Sequence, residues 1–205
     1  MVSSAVLTAC GGSGSTATTT KAPMVTAPST TTVPPTTIPV PAGGTRTVPI
    51  PATPSACRLS GLTVSAGSAG GAAGSYGQTI LFINRSDTTC TMRGYPGVAA
   101  LNANGQQVVQ ATRKPTGMMG GLRSAASPIS VVALAHGKIA SAEVEGSDVP
   151  VGTTTSCVYY PELLVTPPGE TNSIVVNVSV GINGIPGCVP IAVNPVVAGT
   201  SGRAN

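Results

Sequence analysis

The sequence predicts an all-β fold, an antiparallel β-sandwich or barrel, preceded by a disordered stalk. Two observations predict it. The 46 residues from 11 to 56 contain 13 Thr and 9 Pro, which leaves too little apolar bulk to offset the entropy of ordering the chain. From Cys57 onward, short β-type runs recur between Gly, Pro and Asn turns, and no ten-residue helical stripe competes with them.

Composition divides the chain into four segments. We interpret residues 1–10 as a truncated signal peptide, 11–56 as a disordered linker, 57–196 as the β domain and 197–205 as a flexible tail. Proline in the linker removes backbone donors and favours polyproline II, so the linker reaches on the order of 140 Å when fully extended. The linker is therefore predicted to be a spacer.

Ten runs in the domain are predicted strands, because β-branched and apolar residues dominate them and turn residues bound them. In chain order they are Leu59 to Ala66, Gln78 to Asn84, Thr89 to Arg93, Val98 to Asn102, Gln106 to Thr112, Ile129 to Ala135, Lys138 to Glu145, Val158 to Val165, Ser173 to Val180 and Val189 to Asn194. The ninth run alternates most clearly and predicts one apolar face. That face consists of Ile174, Val176, Val178 and Val180.

Turns and two long loops separate these runs. Asn104-Gly105 predicts a hairpin turn, because both residues tolerate positive φ. The stretch 67–77 is rich in Gly, Ala and Ser, and 115–128 holds a Gly-rich loop with Met118, Met119 and Leu122. Both are predicted loops, which at this length are either mobile or functional. For the second loop we favour packing of its Met and Leu side chains against the sandwich. The alternative is a flexible apolar binding lip.

The distribution of charge argues against nucleic-acid binding. The net charge of the chain is +4, but residues 57–196 carry seven basic and six acidic side chains and are close to neutral. Aromatic residues make up 2% of the chain, and no Lys/Arg cluster interleaved with aromatics could follow a phosphate backbone. We therefore expect no nucleic-acid partner.

Few residues are suited to catalysis or metal binding. The only histidine, His136, stands before Gly137 between two apolar runs, where a turn is predicted. Glu143 and Glu145 are two residues apart on a predicted strand, so their carboxylates share a face about 7 Å apart, a separation that suits a glycosidase pair. The pair falls near a strand end and the domain lacks Trp, so we favour a solvated face. No Cys-x-x-Cys or EF-hand loop occurs, and we expect no catalytic residue, metal or cofactor.

The N-terminus carries the run Leu7-Thr8-Ala9-Cys10, followed by Gly11 and Gly12. This run resembles the bacterial lipobox, at which the cysteine is lipidated and becomes the mature N-terminus. The resemblance implies a signal peptide and a palmitate-bearing lipid on Cys10. It also implies that the chain is extracytoplasmic and is anchored to the cell membrane by this lipid. A signal peptide needs a basic region and an apolar stretch of about 7 to 15 residues, which residues 1–9 do not provide. We therefore expect the true start upstream of Met1.

A second resemblance rests on Cys90-Thr91-Met92-Arg93-Gly94-Tyr95-Pro96-Gly97, preceded by Ile80-Leu81-Phe82-Ile83-Asn84. This pattern resembles a domain of unknown function that is widespread in actinobacterial, especially mycobacterial, secreted and lipid-anchored proteins. In that family a strand ending in Asn leads to a Cys-x-x-x-Gly-Tyr-Pro-Gly turn. The resemblance spans about Cys57 to Val193. It implies an immunoglobulin-like sandwich outside the cytoplasmic membrane, and it brings no catalytic residues.

Four cysteines remain when Cys10 is assigned to the lipid. They are Cys57, Cys90, Cys157 and Cys188, an even number that in an exported chain predicts two disulfides. Three pairings are possible. We predict Cys57 with Cys90 and Cys157 with Cys188, because each pair joins segments close in sequence, and the family's order of cysteines suggests the same.

The predicted function is that of a lipid-anchored, non-enzymatic binding or structural module of the cell envelope. Its partner could be an envelope protein, a lipid or a wall polymer, and the sequence does not choose among them. The alternative is a cell-envelope hydrolase or transferase that uses His136 or the pair Glu143 and Glu145. Convergence of these side chains in a pocket would favour the enzyme, and dispersed, exposed side chains would favour the binding module.

Overall fold

The computed structural model describes residues 54–153, 155–178 and 183–205, which belong to a compact unit spanning Ile50–Asn205. Cys10 and most of the predicted linker lie outside the described residues. The last linker residues are folded, because Ala56 forms a parallel bridge with Thr91 and the Thr91 N–H donates to the Ser55 carbonyl at 2.8 Å. The domain therefore begins before Cys57, and the predicted linker is too long by at least these residues.

The described residues form fourteen strands, and their only helical element is a 3₁₀ turn at Leu59–Gly61. The strands are β1 (Leu62–Ala72), β2 (Ser75–Asn84), β3 (Cys90–Met92), β4 (Gly97–Leu101), β5 (Gln107–Gln110), β6 (Thr112–Arg113), β7 (Val132–Leu134), β8 (Ile139–Ser147), β9 (Tyr159–Tyr160), β10 (Glu162–Thr166), β11 (Ile174–Asn177), β12 (Ile185–Pro186), β13 (Ala192–Val193) and β14 (Val197–Ala198).

Two larger sheets and two strand pairs make up the fold. The first sheet has the order β1-β2-β8-β13-β6, with β14 also paired to β8, and the second has the order β11-β10-β4-β5. Two-stranded sheets are formed by β9 with β12 and by β3 with β7. Every one of these strand pairs is antiparallel except β6 with β13. The predicted all-β, antiparallel sandwich is confirmed, with this one parallel pair as an exception.

The core is built from small aliphatic side chains of both larger sheets. Its fully buried members include Ile80, Phe82, Ala142 and Val144 from the first sheet and Val98, Ala100, Leu163 and Val165 from the second. Apolar burial contributes roughly 25 cal/mol per Å², so a core of Val and Ala gains less per residue than one of Leu and Phe. Covalent links are correspondingly important for such a domain.

Both disulfides are present in the predicted pairing. Cys57 and Cys90 lie 4.8 Å apart between Cα atoms, are buried, and tie the beginning of the domain to β3. Cys157 and Cys188 lie 4.6 Å apart between Cα atoms, one before β9 and the other after β12, and both are partly exposed. One link therefore belongs to the core and the other closes the β9–β12 pair at the surface.

The longest strand pair forms where the sequence predicts a loop over 67–77. Strand β1 continues to Ala72, and Ala73 and Gly74, with φ of 49° and 79°, make a two-residue turn into β2. The loop prediction for this stretch was wrong. Its Gly, Ala and Ser residues show no hydrophobic alternation, so nothing in the sequence indicated a strand. A register shift between Ala66 and Ala69 interrupts the ladder.

Other strands are shorter than predicted, because the chain changes partner within a run. The run Gln106 to Thr112 is split: β5 pairs with β4, and β6 pairs with β13 of the other sheet. The run Val158 to Val165 divides at Pro161 into β9 and β10. The hairpin at Asn104-Gly105 is confirmed, with positive φ only at Gly105.

The predicted apolar face of Ser173 to Val180 is only partly correct. Val176 and Val178 are buried, but Ile174 is 38% exposed on β11, an edge strand of its sheet. Val180 lies outside the described residues. Alternation along a strand therefore identified the inward face of β11, but not how much of that face is buried.

Residues 197–205 are part of the domain and not the flexible tail that the sequence predicts. Strand β14 pairs with β8, and the N–H of Gly202 donates to Oγ of Ser141 at 2.9 Å. The N–H of Ala204 donates to the carbonyl of Gly121 at 2.9 Å. The segment has the composition of a linker because it contains small residues and few large apolar side chains. Its contacts with the domain are made by those small residues and by backbone groups.

Candidate functional site

Glu143 and Glu145 lie on the outer face of β8, as their spacing predicts, but they do not form a solvated face. Glu143 is only 4% exposed and Glu145 is partly buried. Between and beside them Ala142 and Val144 point into the core, because side chains alternate along a strand. The expectation of a solvated pair is wrong, since residues 117–120 and 202–203 lie over this face.

The carboxyl group of Glu143 is held within the sheet and between glycines. Thr79 stands directly opposite in the β2–β8 ladder, and its Oγ1 donates to Oε2 of Glu143 at 2.7 Å. A Cβ atom at Gly77, Gly120 or Gly202 would overlap the Glu143 side chain. Glycine at these three positions therefore permits the close approach of three segments to one glutamate side chain.

Burial raises the pKa of Glu143 to about 8. The hydrogen bond from Thr79 and the charge of Arg203 act in the opposite direction, while the nearby Glu145 raises the pKa further. Burial, together with the charge of Glu143, also raises the pKa of Tyr76. The Tyr76 hydroxyl is buried and has no hydrogen-bond partner among the described residues. With a pKa of about 8, Glu143 is therefore mostly a neutral acid at neutral pH, because it is shielded from solvent.

Glu145 holds the loop after β6 by its backbone. Its carboxylate accepts hydrogen bonds from three successive N–H groups, those of Met118, Met119 and Gly120, at 3.1, 3.0 and 2.9 Å. Successive amides form a concave site of positive partial charge that suits a carboxylate. Met118 is 60% exposed, so the expected packing of the loop's side chains is wrong for this residue. The loop is anchored by charge-assisted hydrogen bonds more than by burial of Met118.

Arg203 closes the arrangement from the C-terminal side. Its Nη2 donates to the carbonyls of Met118 and Met119 at 3.1 and 3.0 Å. The N–H of Gly121 donates to the carbonyl of Gly202 at 2.8 Å. We call Tyr76, Thr79, Glu143, Glu145 and Arg203 the carboxylate cluster. Sequence reasoning found only its two glutamates, because the other members lie in segments predicted as loop, strand and tail.

His136 lies apart from the carboxylate cluster. It is exposed in the turn before β8, and its Nδ1 is 3.0 Å from the carbonyl oxygen of Ser86. The buried Asn84 at the end of β2 organises this region, because its Nδ2 donates to the carbonyls of Thr88 and Leu134, both at 2.8 Å. The structure therefore brings the two glutamates together but places the histidine elsewhere.

The described residues contain no group of three His, Cys, Asp or Glu side chains that could hold a metal ion. A surface cavity of about 510 Å³ opens beside the carboxylate cluster and is lined by Arg203 and Arg123 together with Thr116 and Gly117. Neither glutamate lines this cavity. The loop and the C-terminal segment cover Glu143, whereas Glu145 remains partly exposed.

These features define a class of protein: an all-β domain closed by two disulfides, in which a buried Glu143 is covered by the domain's own loop and C-terminal segment and a partly buried Glu145 binds that loop. The chain belongs to a family described as a domain of unknown function, DUF4232, whose model matches residues 57–196. No curated protein and no solved structure matches the chain. In the part of the chain that the structure describes, no helix is long and apolar enough to cross a bilayer.

Proposed function

We propose that this chain is a lipid-anchored, extracytoplasmic protein of the bacterial cell envelope, whose β domain acts as a non-enzymatic binding or structural module. The observation that carries the non-enzymatic part is the engagement of both glutamates by the chain itself. Thr79 donates to Glu143, and three loop amides donate to Glu145. Carboxyl groups used in this way stabilise a loop and leave little capacity for a substrate.

The compartment is inferred from the cysteines. Two disulfides are typical of proteins that fold in an oxidising environment, outside the cytoplasm. Cys10 remains as the odd cysteine, and the Leu7-Thr8-Ala9-Cys10 run is similar to the bacterial lipobox. The near-neutral domain also favours a protein, lipid or wall-polymer partner over nucleic acid.

The anchor is tested by Cys10→Ala in the full chain, expressed in an actinobacterial host. We expect the variant to move from the membrane fraction to the medium or to remain unprocessed, and the wild-type N-terminal peptide to carry lipid by mass spectrometry. Thr16→Ala, beyond the cysteine, serves as the matched control and should stay in the membrane fraction. Unchanged fractionation of Cys10→Ala, or an unmodified Met1 peptide in the soluble fraction, would contradict the proposal.

One observation favours a second candidate, a cell-envelope hydrolase. A protonated acid beside a second carboxylate is the arrangement of many glycosidases, and the pKa of Glu143 near 8 fits the acid. Chromogenic glycoside and ester substrates distinguish the two functions. We expect the wild-type chain and Glu143→Gln to show the same background rate. A wild-type rate above background that falls in Glu143→Gln but not in His136→Ala would favour the hydrolase.

A further inference from the structure

We propose that the groove between β7 and β14 binds an extended peptide as an added β-strand. This inference rests on the proposed binding function and deepens it by naming the ligand class. It depends on three observations: a continuous apolar groove, unpaired backbone groups on both of its walls, and small side chains along it.

The groove separates edge strands of two different sheets. Strand β7 pairs only with β3, and β14 pairs only with β8, among the described residues. Two adjoining cavities, of about 310 and 680 Å³, lie between β7 and β14. Both cavities are lined by Val132, Ala133 and Ala198, so the groove runs along both strands. Their volumes fall in the range of ligand sites in proteins.

The backbone of Ala133 faces the groove. Thr91 of β3 uses its N–H to donate to Ser55 and its carbonyl to accept from Cys57, so its backbone groups point away from β7. In an antiparallel ladder, the neighbours of Thr91 must then make the bonds to β7, through Leu134 and Val132. The N–H and carbonyl of Ala133, opposite Thr91, therefore point to the other side of β7, into the groove.

The backbone of Ala198 faces the same groove from β14. The N–H of Gly199 donates to the carbonyl of Ile139 at 2.9 Å, which directs the backbone groups of Gly199 and Val197 toward β8. Because these groups alternate along a strand, those of Ala198 point away from β8. Outside the strand ladders, no hydrogen bond of the described residues uses the N–H of Ala133 or of Ala198, and the alternation within the two ladders directs both groups away from β3 and β8.

The walls of the groove indicate the chemistry of the ligand. Exposed edge strands offer a row of donors and acceptors, which a peptide satisfies by adding a strand. Ala133 and Ala198 leave space for its backbone, and Val131, which lines the groove, is 59% exposed. The ligand is therefore an extended segment with alternating small or β-branched apolar side chains.

The test uses the full chain labelled with ¹⁵N and twelve-residue peptides selected on it from a random display library. We expect selected peptides to alternate small apolar residues and to slow amide hydrogen exchange of both Ala133 and Ala198. The slowing should reach at least about tenfold, as expected for an amide that leaves solvent for a ladder hydrogen bond. The proposal would be overturned if the selected peptides protect other amides instead. It would also be overturned if the selection yields no peptide that protects Ala133 and Ala198.

Ala133→Pro is the sharpest variant, because it removes a donor that the fold does not use. We expect it to weaken peptide binding by about tenfold, the effect of one lost hydrogen bond. The matched control is Val175→Pro. The N–H of Val178 donates to Pro161 of the loop before β10, which places the Val175 N–H on the outer edge of β11. Equal effects of the two prolines would overturn the proposal.

Val131→Asp provides a second variant, since its side chain is exposed and the fold does not depend on it. A charge on the wall should also weaken binding by about tenfold or more. If Ala133 and Ala198 are already protected in the free chain, the groove is occupied by the chain itself, and protection that grows with protein concentration indicates a second copy. Either result overturns the proposal of a peptide partner. None of these outcomes affects the fractionation test of Cys10, so the two proposals fail separately.

Discussion

At the scale of single residues, Glu143 links the chemistry of this domain to its stability. It is nearly inaccessible, it faces Thr79 across the ladder, and its pKa is raised chiefly by burial. Such a group is neutral in the folded state over a pH range in which the unfolded chain is ionised. The carboxylate cluster therefore makes folding depend on pH.

The first prediction concerns this pH dependence. The pKa of Glu143 in the folded chain is about 8, above the ordinary value of 4.5. The protonated Glu143 side chain therefore stabilises the folded state fully below about pH 4.5, and this stabilisation is lost as the pH rises toward 8. We expect the free energy of unfolding to fall by roughly 2 to 4 kcal/mol between pH 5 and pH 8. Urea unfolding at a series of pH values measures it.

Two variants identify the group responsible. Glu143→Gln should remove most of the pH dependence, because the amide does not titrate. Glu162→Gln, on the partly exposed β10 position, should retain it. A Glu143→Gln chain that still loses stability over the same range would assign the effect to another group.

The second prediction compares two glycines that are cross-strand neighbours. A Cβ atom at Gly77 would overlap Oε1 of Glu143 and lie 2.6 Å from Cβ of Met119, whereas one at Gly70 would have no atom within 4 Å. Gly77→Ala should lower the free energy of unfolding by roughly 1 to 3 kcal/mol, the usual cost of overpacking. Gly70→Ala should change it little. Equal thermal midpoints for the two variants would show that the carboxylate cluster tolerates expansion.

At the scale of elements, the two disulfides close loops of similar length but occupy different surroundings. Their sequence separations are 33 and 31 residues, so the chain-entropy contribution is about 3 to 4 kcal/mol for each. Cys57 and Cys90 are buried in the core, whereas Cys157 and Cys188 are partly exposed. Any difference between the stability contributions of the two disulfides is therefore due to how their sulfur atoms are packed.

Because the two loops match in length, removing each disulfide in turn compares their surroundings. The double variant Cys57→Ala and Cys90→Ala should lose more stability than Cys157→Ala and Cys188→Ala, by about 1 to 3 kcal/mol, because it also removes two packed sulfur atoms from the core. Urea unfolding of both double variants under non-reducing conditions measures the difference. Equal losses would mean that loop closure alone accounts for both links.

At the scale of the whole molecule, the folded unit extends past the region that the family model matches. The match ends at residue 196, yet β14 pairs with β8 in the first sheet, and the segment that follows β14 covers the outer face of β8. In this segment Gly202 lies against the Glu143 side chain, and Arg203 donates to the carbonyls of Met118 and Met119. The C-terminal residues are therefore a structural part of this domain.

The fourth prediction is that truncation after Val196 destabilises the domain. It removes the β14 pairing and the hydrogen bond to Ser141, and it exposes Glu143. We expect a loss of roughly 2 to 4 kcal/mol and a weaker pH dependence, because the desolvation that raises the pKa of Glu143 is relieved. Arg203→Ala, which keeps β14, should have a smaller effect. A truncated chain with unchanged unfolding would place residues 197–205 outside the folding unit.

The sequence by itself determined the fold class, the pairing of the cysteines, the hairpin at Asn104-Gly105 and the common face of Glu143 and Glu145. Each of these follows from a local pattern: alternation along a strand, turn chemistry, or the order and separation of cysteines. Such patterns involve only a few residues or one loop, so they can be recognised in the sequence without knowledge of the tertiary structure. The position of His136 in a turn belongs to the same group.

Only the tertiary structure decided which faces are covered. The contacts that bury Glu143 join residues far apart in sequence: Thr79 to Glu143 across 64 positions, Ser141 to Gly202 across 61, and Met119 to Arg203 across 84. The covering segments, 117–120 and 202–203, are short and contain only Gly, Met and Arg, so they carry no hydrophobic periodicity that could indicate where they pack. The sequence therefore indicates that two carboxylates share a face, while the packing of distant segments determines that Glu143 on this face is buried.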